Sequence, residues 1–131
     1  MPGSFFDTNV LVYLASGDTV KADRTEEILR EGGVISVQVL NELTNVAHRK
    51  MWMTWPEAHA FLSAVRALLT VQAVTVETHE TGLALAERYN LSTYDAMIVA
   101  AAVHANCEVL WSEDMQNGMM IGRGLPIVNP F

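Results

Sequence analysis

The sequence predicts an α/β fold, a three-layer α/β/α sandwich with a short, largely parallel central sheet. Short apolar or β-branched runs (Phe5-Phe6, Val34-Ile35-Ser36, Val71 to Val76, Val109-Leu110-Trp111) alternate with longer segments of helical periodicity. Such alternation is the pattern of parallel strands joined by helical crossovers. The strand candidates are also continuously apolar, as strands covered on both faces are. Finally, no repeat, low-complexity tract or Pro/Gly-rich linker divides the chain, so residues 1–131 read as a single domain.

Taken in order, Phe5-Phe6 reads as a short buried strand ending at Asp7, and Asn9 to Ala15 as a short helix. Gly17-Asp18 marks a turn, and Thr19 to Glu31 an amphipathic helix stopped by Gly32-Gly33. Val34 to Ser36 is the second strand, and a helix from about Val37 to Lys50 follows it. Thr54-Trp55-Pro56-Glu57 carries a capping-box pattern with proline in the first turn, opening a helix to about Leu69. Val71 to Val76 is rich in β-branched residues and reads as a third strand. Helices follow at roughly Thr78 to Tyr89 and Thr93 to His104, then a fourth strand, Val109 to Trp111, and a candidate fifth, Ile127-Val128.

Composition excludes several classes. With 50% hydrophobic and 18% charged residues the chain is not intrinsically disordered. Its longest apolar run, Ala96 to Val103, falls well short of the roughly 20 residues that span a bilayer. The N-terminus has neither the basic nor the long apolar region of a signal peptide, so a cytoplasmic protein with no membrane partner is expected. Cys107 is the only cysteine, which rules out an intrachain disulfide; with His104 it does not make a zinc site. A formal charge of −7 opposes generic nucleic-acid binding, unless much of the negative charge forms a metal site that reverses the local field.

Most of the fifteen acids have ordinary explanations: Glu26, Glu27, Glu31, Glu57, Glu80 and Glu87 fall on solvated helix faces. Asp7, directly after a buried strand, is either the N-cap of the next helix or a site residue, with Asn9 as a second cap or as a donor orienting its carboxylate. Glu42 is mid-helix beside Val39, Leu43 and Val46; a carboxylate there is costly unless paired, metal-bound or turned out to water. Asp95 opens a helix whose same-face successors are Ile98, Val99 and Ala102, and Ser92-Thr93-Tyr94-Asp95 also matches a capping box, with Asp95 bonding back to the Ser92 amide. Just past the fourth strand either Glu113 or Asp114 is the relevant acid, with Asp114 favoured by position and Ser112 placed to add a hydroxyl.

Two of these acids lie beyond the carboxyl ends of strands, where ligands bind in this class of sheet. Converging carboxylates must be protonated or share a cation. Oxygen-only ligands favour Mg²⁺ or Mn²⁺, and such a site suits hydrolysis of a phosphodiester by metal-activated water.

The ordered set Asp7-Thr8-Asn9, Asn41-Glu42-Leu43, Tyr94-Asp95-Ala96-Met97-Ile98-Val99 and Ser112-Glu113-Asp114-Met115 resembles the PIN-domain family, most closely the VapC-type toxins of toxin–antitoxin pairs. The resemblance covers nearly the whole chain. It implies a PIN-like fold and an endoribonuclease in which Asp7, Glu42, Asp95 and Asp114 are catalytic and bind one or two Mg²⁺ or Mn²⁺ ions. It also implies inhibition by a co-encoded antitoxin and a tendency to form a homodimer. Some members carry a further acid two or three residues after the fourth; here Gln116 and Asn117 stand there, and Asn117 offers its amide oxygen instead.

His48-Arg49-Lys50 followed by Trp52 and Trp55 reads either as a basic, stacking-competent RNA patch or as a helix C-terminus with packed aromatics. Met51, Met53, Phe61 and Leu62 fit an antitoxin groove or plain core packing. A haloacid-dehalogenase-like phosphotransferase needs a second Asp where Asn9 stands and a late lysine, whereas the only lysines are Lys21 and Lys50. A response-receiver-like switch needs an acceptor Asp after a central strand, where Glu77-Thr78 follow Val76. A PIN fold kept only as a protein-binding module is the remaining alternative, and the four acids count against it.

Overall fold

The structure, a computed structural model describing residues 3–131, is organised around Phe5 and Phe6, whose rings are fully buried. Strand β1 (Ser4–Phe6) carries them into a six-stranded sheet of order β3-β2-β1-β4-β6-β5. β1 pairs in parallel with β2 (Val34–Ser36) on one side and β4 (Val109–Trp111) on the other, placing Phe5 opposite both Val34 and Leu110. β3 (Thr70–Gln72) continues the parallel sheet beyond β2, and β6 (Leu125–Val128) continues it beyond β4. β5 (Met120–Ile121) closes the far edge by pairing antiparallel to β6. The chain leaves β1 for β2 on one side and reaches β4 on the other. The β1/β4 boundary is therefore a topological switch point, where a crevice opens beyond the strand ends.

The helices flank this sheet, as the alternating pattern requires. They are α1 (Thr8–Leu11), which runs on into a 3-10 turn at Val12–Ala15, α2 (Thr19–Leu29), α3 (Val37–Asn45), α4 (Trp55–Leu68), α5 (Val76–Tyr89) and α6 (Thr93–His104). α6 is buried continuously from Ala96 to Ala102, and its four alanines let neighbouring layers approach closely. Against it lies Gly82 of α5, where an added Cβ would stand 2.5 Å from Met97 Sδ. Gly33, entering β2, is tighter: a Cβ there would sit 2.7 Å from the Ser4 carbonyl oxygen and 2.5 Å from the Phe6 ring.

Four expectations are revised. The third strand ends at Gln72, well before Val76, because Thr75 and Thr78 exchange capping bonds (Thr78 N to Thr75 Oγ1, 3.2 Å; Thr75 N to Thr78 Oγ1, 3.1 Å) and draw Val76 into α5. The helix expected over Val37 to Lys50 is regular only to Asn45; Val46–Lys50 widens into a π-helical turn. The helix expected over Asn9 to Ala15 tightens to 3-10 geometry from Val12. The C-terminal strand is longer than Ile127-Val128 and has a hairpin partner, β5, which the irregular Gly-rich stretch hid. Among the described residues no helix is long and apolar enough to cross a membrane.

Candidate active site

Asp7 follows β1, and its backbone N–H extends the sheet by donating to the Trp111 carbonyl at 2.9 Å. That bond fixes the residue in the crevice between β1 and β4. The residue is 4% exposed, and its carboxylate accepts from Thr8 N (2.7 Å), Asn9 Nδ2 (3.2 Å) and Ser112 Oγ (2.8 Å). Asn9 serves both strand ends at once, because its Oδ1 accepts from Glu113 N at 3.0 Å. Ser112, fully buried, accepts from Met115 N at 3.2 Å while donating to Asp7. Asp7 thus caps α1 and faces the crevice; the two roles coexist.

Glu42 reaches the same cleft from α3. Thr8 Oγ1 donates to one of its oxygens at 2.7 Å and Gln38 Nε2 to the other at 3.1 Å. Gln38 also donates to the Tyr94 carbonyl at 2.9 Å, which ties α3 to the start of α6 and so to Asp95. At α6 only half of the expected capping box forms: Asp95 N donates to Ser92 Oγ at 3.3 Å, while the reciprocal bond from the Ser92 amide to the Asp95 carboxylate is absent. Asp95 lines the cleft.

After β4 the adjacent acids part company. Glu113 accepts from Tyr13 Oη at 2.6 Å and pairs with Lys21 Nζ, which also lies 4.8 Å from the Tyr13 ring centroid. Burial alone would raise the Glu113 pKa, but Lys21 and Tyr13 outweigh it and hold the carboxyl below its ordinary value. Asp114 instead lines the cleft. This depression of ≈ 540 Å³ is bounded by Asp7, Asn9, Glu42, Lys50, Asp95 and Asp114 among others. Two larger concavities exist elsewhere among the described residues, and neither gathers this chemistry.

Four carboxylates from four segments therefore share one cleft, with electrostatic consequences. Burial, and then the negative charges of Asp95 and Glu42, push Asp7 up to about 6 despite the hydrogen bonds from Ser112 and Thr8. Burial also raises Asp95; Glu42 and Asp114 add to the shift, and Ser92 opposes it. Such mutual repulsion is what a bound cation relieves. As they stand, no three His, Cys, Asp or Glu side chains among the described residues form a group that could hold a metal ion; both oxygens of Glu42 and of Asp7 are engaged by neighbouring donors. The donor chemistry, all oxygen and anionic, fits a hard divalent ion.

Asn117 departs from expectation. Its Oδ1 accepts from Asn129 N at 2.8 Å, a bond that pins the end of β6, and the residue does not line the cleft. Two participants carry no assigned role in the sequence reading, Thr8 and Gln38, and Lys50, read there as part of a basic patch, also lines the cleft. Gln38 lies one helical turn before Glu42, a spacing that signals contact; Thr8 gives no such signal, since its partner is 34 residues away. Lys50 is the one cation among the residues lining the cleft.

The PIN domain family profile matches residues 4–116, whereas no curated protein matches the chain. Among solved structures, a chain of a toxin–antitoxin complex from Klebsiella pneumoniae superposes with a TM-score of 0.77 at 23% identity, covering 98% of both chains. A VapC toxin of Mycobacterium tuberculosis, described as cleaving the sarcin–ricin loop, gives 0.68 at 19%, covering 82% of this chain and 87% of that one. A chain from the Rickettsia felis VapBC complex bound to promoter DNA gives 0.64 at 20%, covering 85% and 87%. These likenesses are of fold.

Proposed function

Because the chain belongs to the PIN-domain family, we propose that it is an Mg²⁺- or Mn²⁺-dependent endoribonuclease and the toxin of a type II toxin–antitoxin pair. Asp7 lends the strongest support: a carboxylate buried at the switch point, crowded by Asp95 and Glu42, and held in one orientation by three donors. A burial of this kind is costly for a structural acid and useful for a ligand. Asp7, Glu42, Asp95 and Asp114 would hold the ion, which when bound supplies Lewis acidity at a phosphoryl oxygen and a more acidic water.

The remaining work falls to the chain itself. Asn9 and Ser112 orient Asp7, and Thr8 and Gln38 fix the Glu42 carboxylate. The Tyr13–Glu113–Lys21 cluster anchors the loop that presents Asp114. Lys50 offers a positive charge at the cleft wall for a phosphate of the substrate. A cognate antitoxin accompanies this assignment, supported by solved structures of the same fold from toxin–antitoxin and VapBC complexes; a homodimer and a cytoplasmic setting are proposed with it.

The test is direct. Purified protein should cleave end-labelled RNA with added Mg²⁺ or Mn²⁺ and not in EDTA, and Asp7→Ala should abolish both cleavage and the growth arrest caused by induced expression. Growth arrest that survives Asp7→Ala would remove the nuclease assignment and favour a non-catalytic binding module.

A further inference from the structure

Beyond Asn45, α3 widens into the π-helical turn Val46–Lys50, which is capped by Met51 and followed at once by Trp52. π-Turns inside helices recur at functional positions. Here the turn is closed by Met51 N donating to the Val46 carbonyl and Met53 N to the Ala47 carbonyl, each at 3.0 Å, and Trp52 between them is left-handed, with φ 59°. Two other non-glycine residues among those described have positive φ, Asn90 and Asn106, both just past helix ends. Asparagine tolerates that conformation; a bulky aromatic is strained in it. Backbone geometry therefore does not explain a tryptophan at 52. Burial does not explain it either, because the residue is 84% exposed.

Its surroundings point to a ligand. His48 and Trp55 stack on each other, centroids 3.8 Å apart and planes 16° off parallel, and His48 Nδ1 is 3.1 Å from the Met53 carbonyl oxygen. That pair is self-contained, whereas among the described residues Trp52 has no aromatic or cationic partner. Beside it opens a concavity of ≈ 550 Å³ bounded by His48, Arg49, Trp52, Met53 and Thr54. Lys21 and Arg24 are neutralised by Glu113 and Glu27, but Arg49 and Lys50 form no ion pair among the described residues. Lys50 also lines the acidic cleft. One turn of helix thus joins that cleft to an exposed indole flanked by unneutralised cations.

We propose that Trp52 is a stacking platform for an unpaired base of single-stranded RNA, with Arg49 and Lys50 holding the phosphates that lead from that base into the acidic cleft. A flat, exposed ring next to free cations is the arrangement that binds single strands with little sequence preference. It also answers the objection raised by a net charge of −7, since attraction is needed only along one short track. The inference rests on the nuclease reading for its substrate, and its test separates the two.

Binding of a fluorescein-labelled single-stranded RNA, on the order of ten nucleotides long, is followed by anisotropy in an Asp95→Asn background with Mg²⁺. Trp52→Asn and Trp52→Gly both suit the left-handed backbone, so each should melt no lower than its parent. Each should weaken binding about tenfold, and Trp52→Tyr should largely restore it. In the otherwise unaltered chain, Trp52→Asn should raise KM for cleavage by a similar factor while kcat holds, since stacking is shared by ground and transition states. Equal affinities in the parent and in Trp52→Asn, or no binding by the parent, would overturn the inference. So would a loss of dimer with RNA affinity unchanged, which would give the ring to a protein contact. RNA binding that depends on Trp52 without cleavage in any divalent metal would instead sink the nuclease reading and leave Trp52 in place.

Discussion

Ser112 Oγ donates a 2.8 Å hydrogen bond to Asp7 Oδ2, joining two residues 105 positions apart at the ends of adjacent strands. Asn9 spans the same gap, from Asp7 to the Glu113 amide. The carboxylate is thereby held still where burial and its acidic neighbours disfavour its charge.

That tension has a pH signature. Asp7 rises from an ordinary 3.8 to about 6 on folding, so the folded chain binds the proton more tightly than the unfolded one. Stability should then fall as pH rises from about 4 to about 6, by about 3 kcal/mol in total, and stay at the lower level above that. In metal-free buffer at pH 7, Asp7→Asn should therefore melt higher than the parent, by on the order of 5 °C after some loss in the bond to Ser112. At pH 4 the advantage should vanish. Thermal melts across that range check the sign.

Adding Mg²⁺ or Mn²⁺ at pH 7 should raise the melting temperature of the parent chain and not that of Asp7→Asn, because the ion removes the repulsion that the substitution has already removed. Equal shifts in both proteins, read by differential scanning fluorimetry, would place the ion elsewhere.

Asp95→Asn isolates chemistry from capping. The cap bond runs from the Asp95 backbone N–H to Ser92 Oγ, and the substitution leaves it intact. Stability should stay within about 1 kcal/mol of the parent, while RNA cleavage falls by on the order of 10²- to 10³-fold.

Lys21→Met should loosen the loop before Asp114 without touching the cleft itself. The Lys21–Glu113 pair is partly exposed, so the stability cost should be below about 1 kcal/mol. Cleavage should slow several-fold, with kcat affected more than KM, and Lys21→Arg should restore it.

Two glycines should respond unequally to alanine. At Gly82 the clash is with the flexible end of Met97, and alanine is the better helix former, so the net loss should be about 1–2 kcal/mol. At Gly33 the obstacles are the Ser4 carbonyl and the Phe6 ring, with φ at 150°. There the loss should exceed about 3 kcal/mol, measured by urea unfolding.

Much of this molecule is legible in its sequence. Phe5-Phe6, Val34 to Ser36 and Val109 to Trp111 announce buried parallel strands, and Thr54 to Glu57 announces its capping box, because each signal is local. The third strand misled because Val74 and Val76 have β-branched side chains, while the deciding interaction, Thr75 with Thr78, is a cap read only as a pair. The four acids stood out as carboxylates at strand ends or against apolar sequence, and the structure brings all four to one cleft. Asn117 was expected there from its offset to Asp114; the turn into β5 swings it instead to the Asn129 amide. The sequence shows Trp52 as an aromatic beside basic residues, but its left-handed backbone and its solvation are properties of the folded chain.

α6 is sheathed by protein from Ala96 to Ala102, with Asp95 one residue upstream. Amides in so sheltered a helix exchange with solvent only when the whole domain opens. Deuterium uptake in this segment should thus track global unfolding, and loss of RNA cleavage on heating should coincide with denaturation instead of preceding it. The carboxylate is mounted on the last part of the molecule to melt.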